Sequence, residues 1–235
     1  AGIVNGIVLG WVIRAMAKIA RPFTRWPDWL GEAQYASLAS EWPTWMLLGD
    51  LSDTLTIFVL FGVIAVYSSL GGIRGVILTD LVQFGLAIVG SIAFAVLAVR
   101  EVGGIGAIHE GLAAHYPDPG EILAFFPGFD AAWLPVQVFL VYLAVQWWAQ
   151  YFSDGSGYLA QRLFTARSDA HAEAGSLWFV VANYGLRTWP WVLIGVVALV
   201  VYPLGAEGDA AGAAMVAADR EMAYPVLMAR VLPAG

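Results

Sequence analysis

Residues Val76–Val99 read VILTDLVQFGLAIVGSIAFAVLAV, and Asp80 is the one formal charge among them. Roughly 20 apolar residues make a helix long enough to cross the hydrocarbon core of a bilayer. A carboxylate inside such a helix is costly to desolvate, so it belongs on an ion path, in a water-filled cavity or against a partner. Four further apolar stretches read the same way. The expected crossings are Ala1–Ile19, Leu55–Leu70, Val76–Val99, Ala132–Phe152 and Ser176–Tyr202.

Composition points to the same class. The chain is 60% hydrophobic and 12% charged, with mean hydropathy +0.73; soluble domains carry about 25% charged residues. The expected fold class is therefore all-α and integral to the membrane, multi-pass, in the cell membrane. The absence of cysteine excludes disulfides and thiol chemistry. A net charge of −7, held mostly in the connections, argues against nucleic-acid binding. No signal-peptide pattern is present. Ala1 already lies inside an apolar run, so an internal piece of a longer protein is expected, with the missing helices of that protein among its partners.

The connections carry their own signals. Gly71-Gly72-Ile73-Arg74-Gly75 is the whole link between the second and third stretches. Glycines break a helix, and so short a link implies an antiparallel hairpin. Pro22–Asp53 holds Trp26, Trp29, Trp42 and Trp45. It reads as a segment in the headgroup layer or as a long loop with incidental aromatics. Arg100–Asp130 reads as an acidic, proline-bearing loop, Ser153–Gly175 as a polar one, and Leu204–Gly235 as an Ala/Gly-rich end. Ser168 or Asp169 is placed to cap the fifth helix or a short helix before it. Alternation puts Arg74, Arg162 and Arg167 on one side of the membrane. Lys18, Arg21, Arg25, Arg100, Arg220 and Arg230 fall on the other, which a positive-inside count makes cytoplasmic.

Three places carry the polar chemistry. Thr79, Asp80 and Gln83 lie about one turn into the third crossing, and a spacing of three puts Asp80 and Gln83 on one helical face. Their oxygens suit a hard cation such as Na⁺, or a proton. A solvated helix end, or a pair with Arg74, accounts for Asp80 equally simply. Arg187 sits well inside the fifth crossing, in NYGLRTWPWVL. It binds an anionic substrate group, pairs with a protein acid such as Asp80, or snorkels to an interface marked by Trp189 and Trp191. Pro190 is expected to kink the helix nearby. Gln146-Trp147-Trp148-Ala149-Gln150-Tyr151-Phe152 lines a small-solute pocket or forms an interfacial aromatic belt. No enzyme pattern appears: His109, His115 and His171 have no metal-ligand spacing, and Ser68-Ser69 have no visible base.

Tyr67-Ser68-Ser69-Leu70-Gly71-Gly72, followed by Thr79-Asp80-Leu81-Val82-Gln83, resembles the sodium:solute symporter signature Y-S-x-x-G-G-x-x-x-V-x-x-T-D-x-x-Q. Gln161-Arg162-Leu163, Ala166-Arg167 and Gly175 resemble that family's loop Q-R-x-x-x-A-[KR]-x-x-x-x-A-x-x-G after the sixth core helix. Ala223-Tyr224-Pro225 with Leu232-Pro233 looks like the approach to the eighth. The resemblance implies a LeuT-type inverted-repeat transporter, of which this chain supplies core helices three to seven. It implies alternating access, with Na⁺ as coupling ion for uptake of a small solute and no other cofactor. It places Arg74, Arg162 and Arg167 in the cytoplasm, against the charge count. Asp80 then falls on an aspartate of the ion pathway, Phe152 on an aromatic inner gate, and Asn183 on a substrate-contacting lysine of a sugar carrier. Ala149 replaces a polar sugar ligand, which weakens a sugar assignment. The family's chief sodium site uses the first and eighth helices, so no metal site is complete here. A symporter-like sensory domain of a signalling protein is the alternative.

Overall fold

The break in the long apolar region comes where the glycines put it. The computed structural model describes residues 2–132, 134–149, 160, 163–205 and 212–232. Helix α4 (Leu51–Gly72) and helix α5 (Gly75–Glu101) are separate rods. Between them Gly72 adopts φ 54° and ψ −168°, a region that only glycine enters without strain. Upstream lie α1 (Gly2–Ala20), α2 (Trp26–Leu30) and α3 (Glu32–Glu41), then a 3-10 turn at Thr44–Met46. Downstream are α6 (Ile105–His115), α7 (Pro119–Leu123) and α8 (Val136–Ala149). Then α9 (Asp169–Val180) runs through a π turn at Val181–Leu186 into α10 (Thr188–Val201). Two short helices follow, α11 (Ala213–Ala218) and α12 (Ala223–Val231), joined by a 3-10 turn at Arg220–Met222.

Among the described residues there is no strand. Three helical runs are long and apolar enough to cross a membrane: Leu51–Gly72, Gly75–Glu101 and Asp169–Val201. Val136–Trp148 is a shorter apolar helix, and α1 is an apolar helix of 19 residues. Leu81, Leu86 and Val89 stand exposed along α5. That suits a helix whose backbone bonds close within itself and whose surroundings are apolar.

Two readings of the connections change. Arg100–Asp130 is largely helical, because Ile108 and Leu112 recur at i, i+4 and are both buried, giving α6 an apolar stripe. The Ala/Gly-rich end is helical too, and Val216, Val226 and Leu227 are buried there. The helix of the fifth apolar stretch starts at Asp169, earlier than Ser176. Ser168 caps α9 by accepting from the N–H of His171 at 3.4 Å, with Asp169 favourable to the helix dipole in the first turn.

The chain divides into two compact units, Ala1–Gly104 with Val192–Gly235, and Ile105–Trp191. In the first, Phe94 of α5 meets Tyr224 of α12 edge to face at 5.2 Å, beside the buried Ala95 and Ala98. The end of α1 is tied in by charge. Lys18 binds Asp219 at 2.7 Å and also Glu221. Arg21 grips Asp53 through Nη2–Oδ2 at 2.5 Å and Nε–Oδ1 at 3.2 Å. Arg230 of α12 binds Glu101 at 3.1 Å. Asp50 caps α4, accepting from the N–H of Asp53 at 2.7 Å. In the Trp-rich segment, Trp26 Nε1 donates to Thr56 Oγ1 at 2.9 Å and Trp42 packs on Phe58, whereas Trp45 is exposed. In the second unit, Phe126 packs edge-on against Phe125 and Phe139.

Candidate functional site

Thr79, Asp80 and Gln83 occupy the second and third turns of α5, where helical spacing sets Asp80 and Gln83 on one face. Both are exposed, while Thr79 is half-buried. The Thr79 hydroxyl donates to the carbonyl of Gly75 at 2.7 Å, so its proton is committed to the backbone. Its lone pairs remain able to face a cation. This is the bond by which a threonine settles into an apolar helix without an unsatisfied donor. Among the described residues no cluster of three or more His, Cys, Asp or Glu side chains has the makings of a metal site.

The second unit holds the more organised group. At Val181–Leu186 the helix switches to π bonding, and the N–H of Arg187 reaches back five residues to the carbonyl of Ala182 at 3.1 Å. The irregularity therefore precedes Pro190 and is a widened turn. Pro190 has no N–H to offer the Leu186 carbonyl, and its ring crowds that carbonyl, so the strain is relieved one turn upstream. Thr188 Oγ1 donates to the carbonyl of Asn183 at 3.2 Å. Arg187 Nη1 donates to Asn183 Oδ1 at 3.1 Å. The guanidinium carbon lies 5.5 Å from the centre of the Trp191 ring, within cation–π range. Asn183 is half-buried and Arg187 exposed. Among the described residues no carboxylate pairs with Arg187.

Asn183 and Arg187 were thus separate sequence candidates that the backbone joins. Gln146 and Trp147 lie on the last turn of α8, both exposed, and their side chains make no hydrogen bond or ring contact among the described residues. The Ala149 side chain and Phe152 lie outside the described residues, as do the side chains of Ile73 and Arg74 and the whole of Arg162. A cavity of about 600 Å³, lined by Gly10, Ile13, Arg14, Leu48, Phe58 and Phe61 among others, includes none of the sequence candidates. Reading the sequence also missed the ion-pair cluster of Lys18, Asp219 and Glu221. Only the basic run at the end of α1 hinted at it, and that run was counted as a topology signal.

The pattern of the sodium:solute symporter family matches residues 47–235. The sodium/mannose cotransporter SLC5A10 of Bos taurus is 24% identical over 204 residues, a match covering 77% of this chain and 32% of that protein. The chain thus spans about a third of that relative's length. No solved structure matches. The family match takes in the broken α4–α5 pair, Asp80 and the π turn with Asn183 and Arg187, and it covers most of the chain. On that ground this all-helical protein belongs to the sodium:solute symporter family of multi-pass membrane proteins.

Proposed function

We propose that this chain is the third-to-seventh-helix portion of a symporter that uses a Na⁺ gradient to carry a small organic solute across the cell membrane. It is a transport element, and the reading assigns it no enzymatic step. Five crossings form part of a LeuT-type inverted repeat, with α4 and α5 an antiparallel pair turning at Gly72. Alternating access comes from one bundle rocking against the rest around a midplane site. Asp80 lies on the ion path, with Thr79 and Gln83 supplying neutral oxygens beside it. Gln146, Trp147, Ala149, Phe152, Asn183 and Arg187 contribute to the solute site or its gate. Helices outside this chain supply the chief sodium site.

The observation that carries the reading is Asp80, the single charge of an otherwise apolar membrane-length run, held in the family's T-D-x-x-Q context. Ion-path carboxylates are what such positions hold. The test is Asp80→Asn in the full-length protein, reconstituted in liposomes. The amide keeps the shape and loses the charge. Expression is retained and the Na⁺ concentration for half-maximal uptake rises about tenfold or more, the loss of one charge-assisted contact. Uptake with unchanged Na⁺ and pH dependence removes Asp80 from the ion path.

A further inference from the structure

We propose that the transported solute carries a carboxylate, and that the guanidinium of Arg187, aimed by Asn183 and Trp191, is what grips it. This rests on the symport reading above and narrows its substrate class.

Depth comes first. Arg187 lies in the membrane-length run Asp169–Val201, whose 33 residues rise about 50 Å at 1.5 Å per residue. The hydrocarbon core is about 30 Å thick, roughly 20 residues. Wherever those residues fall within the run, Arg187 is among them.

Partners come next. A guanidinium stays protonated at any working pH, so its charge at this depth calls for compensation. Asn183 gives it a neutral carbonyl oxygen at one Nη, and Trp191 gives it a ring face. Neither brings a negative charge. The remaining N–H groups, those of Nη2 and Nε, have no acceptor among the described residues. They form the planar edge that holds a carboxylate through two parallel bonds. The edge is also held ready. Asn183 stands four residues before Arg187, one helical turn away, and Thr188 Oγ1 ties the backbone carbonyl of Asn183, a different oxygen from the Oδ1 that meets Arg187. A fork fixed by an amide on one side and an indole on the other loses little rotamer freedom when the anion arrives. A neutral sugar would bring no counter-charge to it, and the described residues supply none.

The experiment uses the full-length protein in detergent and in proteoliposomes. The probes are C2–C4 monocarboxylates and α-amino acids, each beside its primary amide. At least one carboxylate should raise the melting temperature of the wild type while its amide does not. Arg187→Gln should weaken that carboxylate about 10- to 100-fold. Arg187→Lys, which keeps the charge and loses the fork, should also weaken it about tenfold, with the Na⁺ dependence unmoved. Equal stabilisation by acid and amide overturns the proposal, as does a panel in which no carboxylate stabilises. Wild-type affinity in Arg187→Lys overturns the two-bond grip. If Arg187→Gln does not fold, the acid–amide comparison on the wild type and on Arg187→Lys decides. Na⁺-driven uptake of a neutral solute, untouched by Arg187→Gln, sinks this inference and leaves symport standing. Carboxylate binding with no Na⁺-dependent uptake of any solute does the reverse.

Discussion

At the scale of single residues, what an ionic contact contributes depends on burial and geometry. Asp53 is 9% exposed and holds Arg21 in two places, at 2.5 Å and 3.2 Å. The pair closes the end of α1 against the first turn of α4. Asp28 faces Arg25 at 3.1 Å, with both side chains more than half exposed. Asp53→Ala strips a half-exposed guanidinium of its best acceptor, and after allowance for solvent screening it should destabilise the protein by about 1–2 kcal/mol. Asp28→Ala should change stability by less than about 0.5 kcal/mol. Melting midpoints of the two variants of the full protein in one detergent compare them directly; equal shifts would mean that solvent screens both pairs alike. Reading the sequence showed Arg21 and Asp53 only as charges of opposite sign. Their bidentate contact depends on how two helix ends meet.

At the scale of elements, backbone chemistry decides where helices break. Gly72 sits at φ 54° and ψ −168°, a conformation that costs a residue with a Cβ about 1–3 kcal/mol. Gly72→Ala should therefore impair folding of the α4–α5 pair by that amount. Gly62→Ala, mid-helix in α4 with open space around it, should be neutral or slightly stabilising. Expression and melting of the two variants side by side check this, and a harmless Gly72→Ala would mean that the break tolerates ordinary φ values. This break was legible, since two adjacent glycines between apolar runs have a direct local meaning. The π turn was only half legible. Pro190 announced a disturbance, but a proline states which bond is missing and leaves open how the helix recovers. Here it recovers through a π turn at Val181–Leu186, upstream of the proline.

At the scale of the whole chain, charge pairs link segments far apart in sequence. Lys18 reaches Asp219 across 201 positions. The Asp219 carboxyl is held below its ordinary value of 3.8, first by the hydrogen bond from Lys18 and then by the N–H of Glu221. A carboxyl lowered on folding adds stability that is complete above its unfolded value and fades as pH falls through the lower folded value. The melting temperature of Asp219→Asn should therefore lie below that of the wild type at neutral pH. The two curves should converge below about pH 3.8, and a gap that persists undiminished into strong acid would show that Asp219 acts through shape alone. The same pairs bear on topology. Lys18, Arg21 and Arg230 bind acids of the folded chain. These three cations have structural work, which weakens their use as a count of the cytoplasmic face.

Two kinds of information separate here. The sequence alone determined the membrane class, the apolar runs, the glycine break and the candidate polar residues Asp80, Asn183 and Arg187. Each of these rests on side-chain polarity or on a conformational preference confined to a few residues, so it survives without knowledge of the fold. The tertiary structure alone decided that Arg100–Asp130 and the Ala/Gly-rich end are helical, that Lys18 belongs to Asp219 and Glu221, and that Phe94 meets Tyr224. It also showed which atoms of Asn183, Arg187 and Trp191, spaced four apart along one helical face, meet one another. Long-range packing and the backbone's choice of hydrogen-bond partner set these features, and a linear pattern of residues records neither.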